Sequence, residues 1–151
     1  MVDWPPTYFI TWTTYGTWLP GDERGWVAKG KPGIQFPNGQ LQDVAARRLA
    51  FDPVYLDPVQ RQIVEAAIEE EAIFRGGRLH ARNARTNHVH LVVTIDEEGE
   101  KTRDRFKAWC SRKLNETYGK HPIWWTRGGK VVKAGDDAHF ENVVRYTVDG
   151  Q

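Results

Sequence analysis

The sequence has little sulfur and no long apolar run. Cys110 is the only cysteine among 151 residues, so an internal disulfide is excluded. No segment approaches the roughly 18 consecutive apolar residues of a membrane-spanning helix, and the first six residues lack the basic and apolar regions of a signal peptide. We therefore expect a cytoplasmic protein with no membrane partner, in which Cys110 is a buried thiol rather than a nucleophile.

An excess of charge of one sign is also missing, because the formal net charge is only +1. The basic residues are nevertheless unevenly distributed. Between Lys101 and Lys133, ten Lys or Arg stand against two acidic residues, a net charge of +8 over this stretch. Such a stretch is typical of a surface that binds nucleic acid, and equally of an ordinary solvated helix face. Composition alone does not choose between the two.

The pattern of apolar residues predicts one α+β domain over residues 1–151. The order of the predicted elements is strand, helix, strand, strand, helix, strand, helix, which is the split βαβ arrangement of a ferredoxin-like antiparallel sheet with an added C-terminal helix. The predicted elements are Tyr8–Tyr15, a helix starting at Asp57, Arg78–Asn83, His88–Ile95, a helix over about Arg103–Tyr118, strand segments Ile123–Thr126 and Lys130–Lys133, and a helix from Asp136 or Asp137 towards Gly150.

Two local patterns refine this assignment. Residues 16–56 contain many glycine and proline turn signals, which predict a long irregular insertion with a short helix over Asp43–Ala50. Asp57, followed by proline and by Gln60, predicts a capping box at the start of the first long helix. In that helix the apolar stripe is expected to include Ile63, Ala66, Ala67 and Phe74, and in the next helix Phe106, Trp109, Cys110 and Leu114.

Two histidines are separated by one residue on the predicted strand His88–Ile95. Side chains alternate between the two faces of a strand, so His88 and His90 point the same way while Val89 and Leu91 point into the core. Two imidazoles on a rigid strand supply part of a divalent-metal site. The alternative is that both histidines are polar residues with only structural partners.

Tyr146 lies on the last predicted helix, off its apolar stripe. It follows Val144 by two positions, about 200° around the helix axis, and so falls on the polar side with Asn142 and Asp149. One explanation is a surface tyrosine without a role. The other is a nucleophile, since a phenolate can attack a phosphodiester and leave a phosphotyrosine when a metal ion neutralises the phosphate.

The order of these motifs resembles the HUH single-tyrosine transposases of insertion sequences, above all the REP-associated tyrosine transposases. The resembling segments are Phe9–Asp22 with Arg24–Trp26, which are similar to the amino-terminal signature of that group, Asn87–Leu91, which is similar to its central motif, and Tyr146–Gln151, which is similar to its tyrosine segment. Together they cover most of the chain in the order of the family.

The resemblance implies an activity and a set of site residues. His88 and His90 would bind Mg²⁺ or Mn²⁺, and Tyr146 would be the nucleophile of a single-stranded DNA endonuclease and strand transferase that works through a 5′-phosphotyrosine intermediate. The family's third metal ligand follows the tyrosine by about one turn, where this chain has Gly150. Gln151 is therefore the expected ligand, with Asp149 and Asn142 as alternatives.

The resemblance also implies partners. Members of this family act as homodimers and recognise hairpins in single-stranded DNA. The candidate DNA-binding residues are Arg103, Arg105, Lys107, Arg112 and Lys113 in the basic stretch, with Arg82 and Arg85 beside the histidine strand as candidates to hold the scissile phosphate.

Three other functions remain open at this point. One is a catalytically inactive or domesticated DNA-hairpin-binding protein of the same fold. A second is a phosphodiesterase or ribonuclease that uses water as its nucleophile. A third is a replication or plasmid-mobilisation nuclease with the same metal site, although such proteins usually carry additional domains.

Overall fold

The computed structural model describes residues 5–135, apart from 20, 22–23 and 28–32, and residues 137–149. No helix in these ranges is both long and apolar enough to cross a membrane. The described elements are β1 (Thr7–Thr13), β2 (Trp26–Val27), β3 (Ile34–Gln35), α1 (Gly39–Arg47), α2 (Pro58–Phe74), β4 (Arg78–Ala84), β5 (His88–Thr94), α3 (Gly99–Tyr118), β6 (Lys130–Lys133) and α4 (Asp137–Asp149).

The main sheet has four strands in the order β4-β5-β1-β6. Strand β1 lies between β5 and β6 and is antiparallel to both, and β4 is antiparallel to β5. This order follows from two βαβ units, in which each crossover helix leaves room for one strand between the strands it connects. The predicted α+β fold with a ferredoxin-like antiparallel sheet is confirmed, and α4 follows the last strand.

One face of the sheet carries the apolar core. Ile10 and Trp12 of β1 and the alternate residues Val89, Leu91 and Val93 of β5 are buried against the two long helices. Each fully buried side chain of this kind contributes about 1.5–3 kcal/mol. The main apolar contacts from the helices come from Val64, Ile68, Phe106, Cys110 and Leu114. Burial raises the pKa of the Cys110 thiol, which agrees with the predicted inert cysteine.

Helix α2 begins as the sequence predicts. The Asp57 carboxylate accepts a hydrogen bond from the Gln60 backbone N–H at 2.8 Å, and the Gln60 side chain accepts one from the Asp57 N–H at 2.9 Å. The predicted stripe is wrong at two of its members, since Ala66 and Phe74 are exposed. Phe74 is the last residue of the helix, and the Arg75 guanidinium lies 5.4 Å from its ring.

Several predicted element boundaries are also wrong. The short helix of the insertion runs over Gly39–Arg47 rather than Asp43–Ala50, because the Asn38 side chain caps it by accepting from the Leu41 N–H. Helix α3 begins at Gly99, after a cap at Glu98. The segment 123–126 is not a strand but forms a single bridge between Trp125 and Thr14. The insertion further contains the two-stranded sheet β2-β3.

Two basic side chains of α3 hold the turn that leads into β6. The Lys107 ammonium donates hydrogen bonds to the Thr126 and Gly128 carbonyls at 2.8 and 2.6 Å, and the Arg103 guanidinium donates to the Gly129 carbonyl at 3.1 Å. Burial and the neighbouring Arg103 lower the pKa of Lys107. The turn and the start of β6 are thus fastened to α3 by charged donors.

We predict that Lys107→Met destabilises the protein. The variant keeps the alkyl stem but loses two hydrogen bonds from a charged donor, so the free energy of unfolding should fall by about 1–3 kcal/mol. Arg112→Met is the matched control, since the Arg112 side chain is 70% exposed, and a change within about 0.5 kcal/mol is expected there. Urea unfolding followed by circular dichroism measures both. Equal midpoints for the two variants would contradict the role assigned to Lys107.

Candidate functional site

His88 and His90 lie on the face of β5 that points away from the core. Their ring centroids are 4.5 Å apart and the rings are nearly perpendicular. On the neighbouring strand β1, Thr13 pairs with His88 and Thr11 pairs with His90. Directly opposite residues of an antiparallel pair share a face, so these two threonines and the two imidazoles form one surface.

Hydrogen bonds at Nδ1 orient both imidazoles. His88 Nδ1 is 2.8 Å from the Asn87 side-chain oxygen, which can only accept, so this nitrogen carries the proton and Nε2 has the lone pair. His90 Nδ1 is 3.2 Å from the Thr11 hydroxyl. Its Nε2 is buried and has no hydrogen-bond partner among the described residues. A metal-ligating histidine commonly donates its other ring N–H in this way.

The electrostatic environment keeps both rings neutral. Burial, the neighbouring His88 and the Arg85 guanidinium lower the pKa of His90 to about 4. Burial, followed by Arg85 and Arg24, also lowers the pKa of His88. Neutral imidazoles with lone pairs at Nε2 are the form that binds a metal ion. The buried, unpartnered Nε2 of His90 is the observation that fits a divalent ion at this site.

Tyr146 is the third aromatic group of the site. It lies on α4 with 47% of its side chain exposed, and its ring centroid is 5.5 Å from that of His90 and 5.9 Å from that of Phe9. Thr147, the next residue, is fully buried. The Asn83 amide donates to the Thr147 carbonyl at 2.9 Å, which holds the end of α4 against β4. The tyrosine is therefore off the buried stripe and next to the histidine pair.

A cavity of about 330 Å³ lies in front of these side chains. Six of its lining residues were not among the site residues predicted from the sequence: Phe9, Thr11, Thr13, Trp18, Arg24 and Lys130. The two-residue alternation of β1 places the first three on one face, but the sequence does not reveal which face of β1 adjoins the histidines. Lys130 reaches the cavity because it pairs with Thr11 across the sheet.

The predicted third metal ligand is not among the described groups. Gln151 and the side chain of Asp149 lie outside the described residues, and Asn142 is exposed on α4. Within the described part of the chain, no three His, Cys, Asp or Glu side chains come together as a metal-binding group. The imidazoles of His88 and His90 are thus the candidate metal ligands that the described residues bring together.

The two arginines expected to hold the scissile phosphate lie in different places. Arg82 pairs with Leu91 and so points to the helix side of the sheet, where its guanidinium is 2.7 Å from the Glu69 carboxylate. Arg85 lies in the turn before β5, and its charge contributes to the lowered pKa values of both histidines. Arg85 is therefore near the histidine pair, whereas Arg82 is on the opposite side of the sheet.

The predicted DNA-binding residues of α3 carry ion pairs or backbone contacts. Arg105 lies 3.0 Å from Glu97, Lys113 lies within 4 Å of Glu70 and Glu116, and Arg112 is 3.9 Å from Glu116. Arg103 and Lys107 hold the turn before β6. Acids from outside the basic stretch thus offset part of its +8 charge, and its role in DNA binding stays a prediction.

We predict that Thr11→Val weakens binding of Mn²⁺ at the histidine pair. Without the hydroxyl, the His90 ring loses the partner that fixes its orientation, and loss of such a partner typically costs about 10–100-fold in metal affinity. Thr7→Val is the matched control, because Thr7 is on the same strand and face but bonds to Thr94. Calorimetric titration with Mn²⁺ compares the variants. Unchanged affinity in Thr11→Val would show that this hydroxyl does not orient His90.

Comparison with known proteins gives a likeness among solved structures. No protein-family model matches the chain, and no curated protein matches it. Among solved structures, the chain is similar to a REP-associated tyrosine transposase bound to a REP hairpin, with a TM-score of 0.55 and 14% identity over 97% of this chain and 70% of that chain. At this identity the likeness concerns the fold. The resemblance noted in the sequence is confirmed at that level: this chain has the fold of a REP-associated tyrosine transposase.

Proposed function

We propose that this protein is a metal-dependent nuclease and strand transferase that cuts and rejoins single-stranded DNA through Tyr146. The observation that carries the proposal is the juxtaposition of a half-exposed tyrosine with two neutral, oriented imidazoles in one cavity. A structural tyrosine would not need this neighbourhood, and a structural histidine would not leave a buried Nε2 without a partner.

The reaction exchanges one phosphodiester for another. The Tyr146 oxygen forms a bond to phosphorus, the bond from phosphorus to the 3′ oxygen breaks, and a 5′-phosphotyrosine and a free 3′ hydroxyl result. The phenol loses its proton and the departing 3′ oxygen gains one. The same hydroxyl, or that of another strand, reverses the step and releases the tyrosine. No external energy source is needed because the number and kind of ester bonds are conserved.

His88 and His90 would hold the divalent ion, Mg²⁺ or Mn²⁺ as the resemblance implies. When bound, the ion supplies charge neutralisation at the attacked phosphate. The chain's own residues orient the ligands: Asn87 and Thr11 contact Nδ1 of the two rings, which leaves Nε2 of each ring as the nitrogen that would bind the ion. Gln151, with Asp149 and Asn142 as alternatives, remains the proposed source of a third ligand.

The proposed substrate is single-stranded DNA next to a hairpin. The transposase of similar fold is bound to a REP hairpin, and we carry this kind of partner over to the present chain as part of the proposal. Around the cavity, Arg24, Arg85 and Lys130 provide positive charge for a phosphodiester backbone. We further propose that the protein acts as a homodimer, as the family does.

We predict that Tyr146→Phe abolishes covalent attachment to DNA while leaving DNA binding nearly unchanged. The variant lacks the attacking oxygen but keeps the ring that contacts His90 and Phe9. The assay incubates the protein with end-labelled single-stranded DNA from the flanks of its own gene and Mg²⁺, followed by denaturing electrophoresis.

Tyr118→Phe is the matched control for this experiment, since Tyr118 is an exposed tyrosine at the end of α3. It should give the adduct yield of the parent. An undiminished adduct in Tyr146→Phe would sink the assignment of the nucleophile. Strand cleavage without any adduct in the parent would favour a water nucleophile, and hairpin binding without cleavage would favour the inactive binding protein.

We predict that His88→Ala and His90→Ala each lower metal-dependent cleavage by at least about 100-fold, the scale of a group that stabilises the transition-state charge. Each variant leaves one imidazole, which is too few ligands for the ion. His121→Ala is the control, because His121 follows the end of α3 and its ring contacts Trp124, outside the cavity. The measurement is the cleavage rate against Mg²⁺ concentration. Normal cleavage by either variant would show that the histidine pair does not hold the catalytic metal ion.

A further inference from the structure

A tryptophan and an arginine form one wall of the cavity. The Arg24 guanidinium lies 4.2 Å from the centroid of the Trp18 ring, and both side chains line the cavity together with His88 and Tyr146. Trp18 keeps 44% of its surface exposed. Trp124 and Trp125, in contrast, are buried in the core. We refer to the pair Trp18 and Arg24 as the stacking wall.

The stacking wall is held in place by hydrogen bonds to the backbone around it. The Trp18 Nε1–H donates to the Gly25 carbonyl at 2.7 Å, and the Arg24 guanidinium donates to the Thr17 carbonyl at 2.8 Å. Thr17 is buried and its hydroxyl donates to the Thr14 carbonyl at the end of β1. An indole held in this way is presented in one orientation, which lowers the entropic cost of binding a flat ligand.

Gly25 is necessary for this arrangement. Its φ of +86° is in the region that favours glycine, and a Cβ at this position would be 2.5 Å from the Ile34 side chain of β3. A side chain at residue 25 would therefore strain the backbone that presents the carbonyl to Trp18, and it would push against Ile34. The sheet β2-β3 of the insertion thus supports the stacking wall.

The remaining lining groups suit a nucleotide. Lys130 is exposed on the same face of the sheet, where it pairs with Thr11. Phe9 adds a further aromatic ring beside Tyr146. A cavity of about 330 Å³ is at the lower end of the range for ligand pockets, roughly 300–1,000 Å³. It combines an aromatic surface with positive charge, which are the two features of sites for single-stranded nucleic acid.

We propose that the stacking wall binds one unpaired base of the DNA strand, at a nucleotide adjacent to the phosphate that Tyr146 attacks, with Lys130 contacting the backbone. This inference rests on the proposed function, and it assigns to Trp18 the positioning of the strand. Stacking uses the flat face that every base has, so the subsite requires a base but tolerates different bases. It requires an unpaired base, which distinguishes single-stranded DNA from a duplex.

The test is a double-mutant cycle between protein and DNA. All proteins carry Tyr146→Phe, so that binding is measured without covalent attachment. The ligand is a single-stranded oligonucleotide from the gene's own flank, and a series of variants carries one abasic site moved along the strand. Fluorescence anisotropy gives the Kd of each oligonucleotide for the parent and for Trp18→Ala.

We expect Trp18→Ala to weaken binding of the intact strand by about 5- to 150-fold, the loss of one base stack. At one abasic position, and only there, the substitution should have little further effect, because the base it stacks on is already missing. Trp18→Phe should show the same position with a smaller loss, which guards against a folding defect in the alanine variant. Trp109→Ala removes a half-buried indole from α3, on the other side of the sheet from the cavity, and should show no position-dependent effect.

The outcomes separate this inference from the proposed function. Coupling at one position supports the stacking wall even where the unsubstituted protein forms no adduct at Tyr146. An equal effect of Trp18→Ala on every abasic oligonucleotide overturns the stacking wall, and an adduct at Tyr146 then leaves the proposed function standing. Failure of the parent to bind single-stranded DNA overturns both.

Discussion

Strand β5 pairs with β1 in a register that places Thr11 opposite His90 and Leu91 opposite Ile10. This one pairing fixes both the core and the candidate site, because the residues of β5 alternate between them. A slip of one residue would move the histidines into the core and expose Val89 and Leu91. The burial of those two apolar side chains therefore stabilises the register in which the imidazoles meet the Thr11 hydroxyl. The arrangement of the site therefore depends on the stability of the β1-β5 pairing.

The sheet also explains why basic residues near one another in sequence have different surroundings. Helix α3 is packed on the core face, so its basic side chains are on the side of the sheet away from the histidines. Arg103 and Lys107 reach around the edge to the turn before β6 and hold it through backbone carbonyls. That turn delivers Lys130 to the open face. The sequence gives the net charge of this stretch, but the positions of the residues in the sheet determine which charges face the cavity.

Much of the fold could be predicted from the sequence because its signals are local. The capping box at Asp57 and the alternation around His88 each depend on only a few consecutive residues, and both predictions are confirmed. The boundaries of α1 and α3 could not be read, since each depends on whether a particular side chain, Asn38 or Glu98, turns back to cap the helix. Helical periodicity predicts Phe74 in the core, but it is the last residue of α2, where its ring is exposed and lies near the Arg75 guanidinium.

The candidate site divides in the same way. His88, His90 and Tyr146 are visible in the sequence because their own strand or helix pattern sets them apart. Thr11, Phe9 and Lys130 are not, since their position beside the histidines depends on strand register, a contact between segments far apart in the chain. Trp18 and Arg24 are even harder to predict from the sequence, because their positions depend on hydrogen bonds to the Gly25 and Thr17 carbonyls within the insertion.

One amide helps to fix the position of Tyr146 relative to His90. Asn83 pairs with His90 across β4 and β5, and its side chain donates to the carbonyls of Thr147 and Val148 in the last turn of α4. Carbonyls in the last turn of a helix have no partner within the helix, so an outside donor is needed there and fixes the position of the turn. Tyr146 immediately precedes those carbonyls. Asn83, which pairs with His90 in the sheet, therefore also helps to position the tyrosine. Asn83 thereby ties the helix to the strand at the point where the proposed chemistry requires the tyrosine and the histidine to be close.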